Sequence, residues 1–140
     1  MNINSLSQKY SVRKLDENDV DIIYDMSCKN DIFYQYHPPF VTRESILDDM
    51  GALPPGKGYD DKFYVGFFEN DSLVGLMDLI LDYPEKEISF IGLFMTDTRY
   101  QNRGVGSQII SDMIPCLKSY GYQEIQLGVD KGNPQSYSFW

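Results

Sequence analysis

The sequence predicts an α/β (α+β) domain in which helices pack on a mixed central sheet. Three observations predict it. Helical spacing of apolar residues dominates the first third of the chain and gives way to β-rich runs from about residue 62. A strand–helix–strand unit spans roughly residues 88–129, with two glycines at the mouth of its helix. The chain has 140 residues and 42% hydrophobic content, which fits one domain over residues 1–140. At that length a fold buries roughly 68% of the surface that the open chain exposes, so a core forms without disulfides or metal.

The elements follow in order. "YSVRKL", Tyr10–Leu15, alternates and reads as a first strand. Asp16 then caps a helix whose stripe is Val20, Ile23, Tyr24 and Ser27. "DIFYQYHPPF" is an aromatic loop closed by Pro38-Pro39. Thr42 caps a short helix, "TRESILDDM", and a Gly/Pro-rich loop follows it. "KFYVGFFE" and "SLVGLMDLILDY" form a hairpin around Asn70-Asp71. "EISFIGLFM" is apolar on both faces and so central. After the glycine turn, Val105, Ile109, Ile110, Met113, Ile114 and Leu117 form one helical face. Pro115 lies inside that pattern and predicts a kink, or a helix end near Ile114. "YQEIQLGVD" is the next strand, parallel to the one at 88–96 because a helix joins them. "NPQSYSFW" opens a last helix, with Asn133 as its cap and Pro134 in its first turn.

The net charge is −9. All of the excess acid lies in residues 1–96, while residues 97–140 carry as many bases as acids. An acidic chain argues against nucleic acid as a partner, and an anionic ligand is better tolerated by the C-terminal third. The N-terminus lacks a basic segment followed by a long apolar run, and no apolar stretch approaches membrane-spanning length. A cytoplasmic protein without a membrane partner is expected. Cys28 and Cys116 lack metal or redox spacing and read as free thiols in a reducing compartment, and no metal is expected.

The stretch "TRYQNRGVGSQII" explains its own glycines. The first N–H groups of a helix have no partner within it, and the helix dipole adds positive potential there. Gly104 and Gly106 remove the Cβ atoms that would hold an anion away, and Arg103 adds charge at the rim. A dinucleotide fingerprint fails because its third glycine position holds Ile109, and the Lys-Ser/Thr of a nucleotide-triphosphate loop is absent.

What remains is Gln101-x-x-Gly104-x-Gly106 after a central strand. This resembles the acyl-CoA motif (Arg/Gln)-x-x-Gly-x-(Gly/Ala) of the GNAT acetyltransferases. "ISFIGLFMTDTRYQNRGVGSQII" and "GYQEIQLGVDKGNPQSYSFW" are similar to that family's strand, pyrophosphate loop, next strand and Asn-led helix, and the order of elements agrees over residues 10–140. The resemblance implies a GNAT-type sheet whose βαβ unit carries the pyrophosphate loop. The family's last strands are then missing from this chain, leaving a sheet edge that a second subunit could complete.

The resemblance further implies an N-acetyltransferase using acetyl-CoA as cosubstrate. Pantetheine would enter between the strands at 88–96 and 123–129 and pair with Leu93, Phe94 and Met95. A backbone N–H near Met95 would face the thioester oxygen. The pyrophosphate would lie on Gln101, Asn102, Arg103, Gly104, Val105, Gly106 and Ser107, with Asn133 nearby. The acceptor, a small-molecule, peptide or protein amine, would meet Tyr34, Tyr36 and His37, with Phe33, Phe40 and Tyr64 around them. Asp78, Glu87 and Asp97 are the candidate bases, and the sequence does not choose among them. The family's proton-donating Tyr falls at Trp140, so Tyr137, one helical turn earlier, is the candidate acid. A CoA-binding or dimer-forming module without catalysis is the alternative.

Overall fold

The computed structural model describes residues 1–30, 39–100 and 103–128, and the backbone of 135–138. A six-stranded sheet crosses the molecule. Its strands are β1 (Ser11–Lys14), β2 (Lys62–Glu69), β3 (Ser72–Leu81), β4 (Ile88–Thr96), β5 (Glu124–Leu127) and β6 (Gln135–Ser138). They lie in sequence order, and every neighbouring pair is antiparallel except β4–β5. That parallel pair is the strand–helix–strand unit expected from the sequence, its connection being α3 (Val105–Ser119). Helices α1 (Val20–Ser27) and α2 (Arg43–Gly51) precede the hairpin.

Two apolar layers hold the sheet. On one face, Ile109, Met113 and Leu117 of α3 meet Val65, Met77, Leu79 and Ile125. Leu6, from a short turn of 3₁₀ helix at Ile3–Leu6 that the sequence reading passes over, is fully buried in the same layer. On the other face, Ile23 and Met26 of α1 and Ile46 of α2 cover Leu76, Phe68 and Met95. Strands therefore carry apolar residues on both sides, which is why β2 and β3 read as unbroken hydrophobic runs.

Local signals behave as their chemistry demands. Asn70 takes a left-handed conformation at φ 55° and turns the hairpin between Glu69 and Ser72. The Thr42 hydroxyl accepts the Ser45 N–H at 3.0 Å, and the Ser45 hydroxyl accepts the Thr42 N–H at 2.9 Å, a reciprocal cap for α2. Asp16 caps a 3₁₀ turn, Glu17–Asp19, that leads into α1. Among the described residues no helix is long and apolar enough to cross a membrane.

Of the two outcomes expected at Pro115, the early helix end does not occur, since α3 runs on to Ser119. Pro115 is exposed, so its missing N–H costs one bond on the solvent side while buried Met113, Cys116 and Leu117 clamp the helix on both sides of it. The segment expected as a last helix is instead β6 over Gln135–Ser138, with Ile125 opposite Tyr137. Its polar–aromatic alternation, Ser136-Tyr137-Ser138-Phe139, has the period of a strand, and the edge of β5 offers backbone partners.

Candidate functional site

The site is organised by β4, which treats its two neighbours differently. Against β3 it pairs along its length, from Ser89 opposite Leu81 to Thr96 opposite Gly75. Gly92 is left over, because Leu79 faces Ile91 while Asp78 faces Leu93. One surplus residue bends a strand and reverses the facing of everything after it. Ile91 and Phe94 therefore share the α3 layer, whereas Leu93 and Met95 turn toward α1 and α2. Against β5 the pairing covers only Ile88–Ile91 with Glu124–Leu127 and closes with the Gly128 N–H on the Ile91 carbonyl at 2.9 Å. β4 itself runs on past the bulge to Thr96.

The glycine turn lies over the half of β4 that follows the bulge. A Cβ on Gly106 would touch the Phe94 ring at 3.5 Å and Thr96 at 4.0 Å, so the first turn of α3 rests on those two residues. Gly104 has φ 74°, a left-handed conformation that glycine adopts without strain. No side chain caps the helix. Its leading amides are left for an anion, and the dipole of this fifteen-residue helix favours one. A groove of 410 Å³ runs past this end and is lined by Lys9, Tyr10, Arg103, Gly104, Val105 and Gln108, among others. Ser107 is exposed beside it. Lys9 escaped sequence analysis because it precedes β1, far along the chain from the motif it flanks.

The opposite face carries a second space. A cavity of 190 Å³ lies between α1, α2 and the sheet. Leu93, Met95 and Leu76 form its floor, and Ser27, Ser45, Asp49 and Tyr64 supply the polar groups. Burial pushes the Asp49 carboxyl up, and the like charge of Asp78 adds to the rise against the opposing pull of Lys62. Sequence reading missed Asp49, since "LDDM" looks like a solvated helix end.

Asp78 and Lys62 form a buried pair beside this cavity. The Lys62 ammonium donates to Asp78 Oδ2 at 2.9 Å and to the Ala52 carbonyl at 2.8 Å. Their side chains are 16% and 3% exposed for Asp78 and Lys62 respectively. Asp78 Oδ1 is buried with no hydrogen-bond partner among the described residues. Burial raises the Asp78 carboxyl above the usual aspartate range, and the hydrogen bond and charge of Lys62 oppose that rise. Asp78 also borders the bulge, since its Oδ2 lies 3.9 Å from where a Gly92 Cβ would stand.

The other expected carboxylates are placed elsewhere. Asp97 is buried at the end of β4 and organises the following turn. Its Oδ1 accepts the Arg99 N–H at 2.9 Å and the Arg99 Nε at 3.1 Å. Glu87 precedes β4 at the end remote from Met95, exposed, and accepts from the Gln123 amide at 2.9 Å. Strand geometry puts it roughly 25 Å from Met95. Tyr64 is buried in the cavity wall, and Phe40 is 47% exposed. Tyr34, Tyr36, His37 and Phe33, together with Gln101, Asn102 and Asn133, lie outside the described residues. Tyr137 is on β6, so the helical-turn argument that linked it to Trp140 does not apply.

Comparison with known proteins agrees with this geometry. An acetyltransferase from Thermus thermophilus superposes with a TM-score of 0.71 at 18% identity, over 85% of this chain and 75% of that one. The Salmonella typhimurium acetyl transferase that modifies the N-terminal serine of 50S ribosomal subunit protein L7/L12 gives 0.68 at 16%, over 87% and 72%. PaiA N-acetyltransferase from Thermoplasma acidophilum, in complex with coenzyme A, gives 0.58 at 15%, over 84% and 77%. At such identities the likeness shows a shared fold. No curated protein sequence matches the chain. The sequence profile of the Acetyltransferase (GNAT) family matches residues 24–140, and the chain belongs to that family.

Proposed function

We propose that the protein moves an acetyl group from acetyl-CoA to a primary amine by direct attack, with both substrates held at once. One observation carries this reading: an uncapped, glycine-led helix end rests on Phe94 and Thr96, in the half of β4 that follows the bulge. A diphosphate fits that end because Val105, Gly106 and Ser107 offer amides there and Arg103 and Lys9 offer charge. An extended amide-bearing arm lying along β4 beyond Ile91 would bind by strand addition.

Acetyl-CoA supplies an activated acyl group and a good leaving thiol. The amine lone pair forms the N–C bond as the C–S bond breaks, and that electron pair leaves on sulfur. A backbone N–H near Met95, on the side of β4 turned away from β3, is the candidate donor to the oxygen that gains charge, a contribution of about 3 kcal/mol when such a donor is preorganised. Holding both reactants in line supplies much of the rest. An amine attacks only after losing its proton. Asp78 is the favoured acceptor of that proton among the three carboxylates considered, because it alone borders the bulge that presents Leu93 and Met95. Its raised pKa makes it a better base than an ordinary aspartate. The thiolate, whose conjugate acid has a pKa near ~8.5, needs little protonation to leave.

Thiol release from acetyl-CoA, followed with a panel of amines, tests the activity. CoA affinity by calorimetry tests the site. Gly104→Glu puts bulk and negative charge on the helix end and is expected to weaken CoA by at least about tenfold, roughly 1.4 kcal/mol. Gly104→Ala carries the same backbone strain without the charge and serves as the control. Equal CoA affinity in Gly104→Glu and Gly104→Ala, or CoA binding without release of thiol for any amine, would sink the reading.

A further inference from the structure

We infer that the cavity between α1, α2 and the sheet selects a small amine with a second cationic group, the distal ammonium held by Asp49 and the reacting nitrogen lying against Leu93 and Met95. The inference rests on the acetyl-transfer reading, which makes the Leu93–Met95 end the reactive one. Volume comes first. The cavity measures 190 Å³, room for a chain of about six water-sized groups at ~30 Å³ each. Helices α1 and α2 lie over it, which suits a free small molecule better than a segment of protein backbone.

The lining decides the chemistry. Ile23, Val41 and Ile46 face Leu76 and Leu93 across the space, so the middle of the ligand is hydrocarbon. Asp49 is the one charged residue among the described residues that line it. Lys62 offsets Asp49 only in part, because its ammonium is bonded to Asp78 and to the Ala52 carbonyl. Two carboxylates around one lysine leave that wall an excess negative charge. An acceptor bearing a carboxylate would lose its hydration and meet only repulsion there. A terminal ammonium would gain a charge-assisted hydrogen bond to Asp49, which is exposed at the rim of the cavity. Partial desolvation raises the Asp49 carboxyl, and among the described residues no cation is bonded to it.

The test compares 1,3- to 1,6-diaminoalkanes with monoamines of matched chain length, in the full chain with acetyl-CoA. The best diamine is expected to exceed its monoamine in kcat/KM by about tenfold, roughly 1.4 kcal/mol. Asp49→Asn is expected to bring that ratio near one, and Asp49→Glu to restore part of it. Calorimetric binding of the same diamines to the CoA-loaded protein provides a readout that needs no turnover. Diamine binding lost in Asp49→Asn supports the inference even where no acetyl is transferred, which separates its failure from that of the acetyl-transfer reading. A wild-type ratio near one, a ratio unmoved by Asp49→Asn, or an unblocked peptide amine turned over more efficiently than every diamine would each overturn it. So would equal losses on both amine classes in Asp49→Asn, since that pattern belongs to a base.

Discussion

The two faces of the sheet are built from the same strands and obey different rules. Under α3 the layer is almost wholly apolar, with Met77, Leu79, Ile109, Met113 and Leu117 at or below 1% exposure. Under α1 and α2 the layer admits Tyr64, the Lys62–Asp78 pair and a cavity edged by Asp49. Apolar packing is non-directional and tolerates little empty space, so the α3 face serves to hold the fold. Buried charge and open volume both cost stability, and proteins retain them where chemistry needs them. The difference teaches that the proposed acceptor cavity lies on the face whose packing is the less apolar. It is joined to the cofactor side through one strand, β4, whose bulge serves both.

That contrast can be broken at the bulge. Deleting Gly92 would return Leu93 and Met95 to the α3 side and Phe94 to the other. The expected loss is about 5 kcal/mol or more, comparable with the whole stability of a modest domain. Thermal unfolding would lose its cooperative transition. Gly92→Ala retains the residue count, and its added Cβ meets Phe90 at 3.6 Å and Asp78 at 3.9 Å, both ordinary contacts. It is expected to stay within about 1 kcal/mol of the parent. If both variants behave alike, the strand does not depend on the surplus residue.

Removing Lys62 sharpens the contrast on the functional face. Lys62→Met leaves the Asp78 carboxylate buried without its cation, at a cost of about 3–5 kcal/mol in urea denaturation near neutral pH. The sign with pH follows from the raised Asp78 pKa. Between the unfolded value, near ~3.9, and the higher folded value, the native state keeps a proton that the unfolded chain has released. The penalty therefore shrinks as pH falls through that window, and a pH-independent penalty would contradict the account. On the other face, Met113→Ala is expected to cost about 3 kcal/mol by opening a cavity under α3. The diamine-to-monoamine ratio should not move with it, and a changed ratio would show that the faces are coupled.

The smallest effect lies at the entry to α1. Arg13 donates to both oxygens of Asp19, at 2.8 and 3.0 Å, and that bond holds the Asp19 carboxyl below the usual range. Asp19→Asn is expected to cost about 1 kcal/mol, discounted because Arg13 is half exposed. A depressed carboxyl stabilises fully above the unfolded value near ~3.9 and loses that contribution as pH falls through the folded one. The variant should accordingly flatten the acid limb of the stability curve. An unchanged limb would place the acid sensitivity elsewhere.

Much of this was legible along the chain. Asn70-Asp71 marked the hairpin because few residues adopt a positive φ readily, and the Val105–Leu117 stripe marked the cofactor-side helix because its period is that of one helical face. Gly104 and Gly106 announced an open helix end for the same local reason. Local signals failed where two outcomes were close in energy. The terminal aromatic run chose a strand over a helix, and Pro115 bent no boundary because its neighbours were buried.

The amino-acid order by itself determined the element types, the mixed sheet with its one parallel pair, and the glycine-led turn, since each depends on dihedral preference or periodicity within a few residues. Only the tertiary structure decided that Gly92 is surplus, that Lys62 reaches Asp78 diagonally across two strands, and that Asp49 and Lys9 edge separate spaces. Those facts are matters of strand register and of which faces meet. Register is set by the summed packing of distant residues, and no short stretch of the chain contains it.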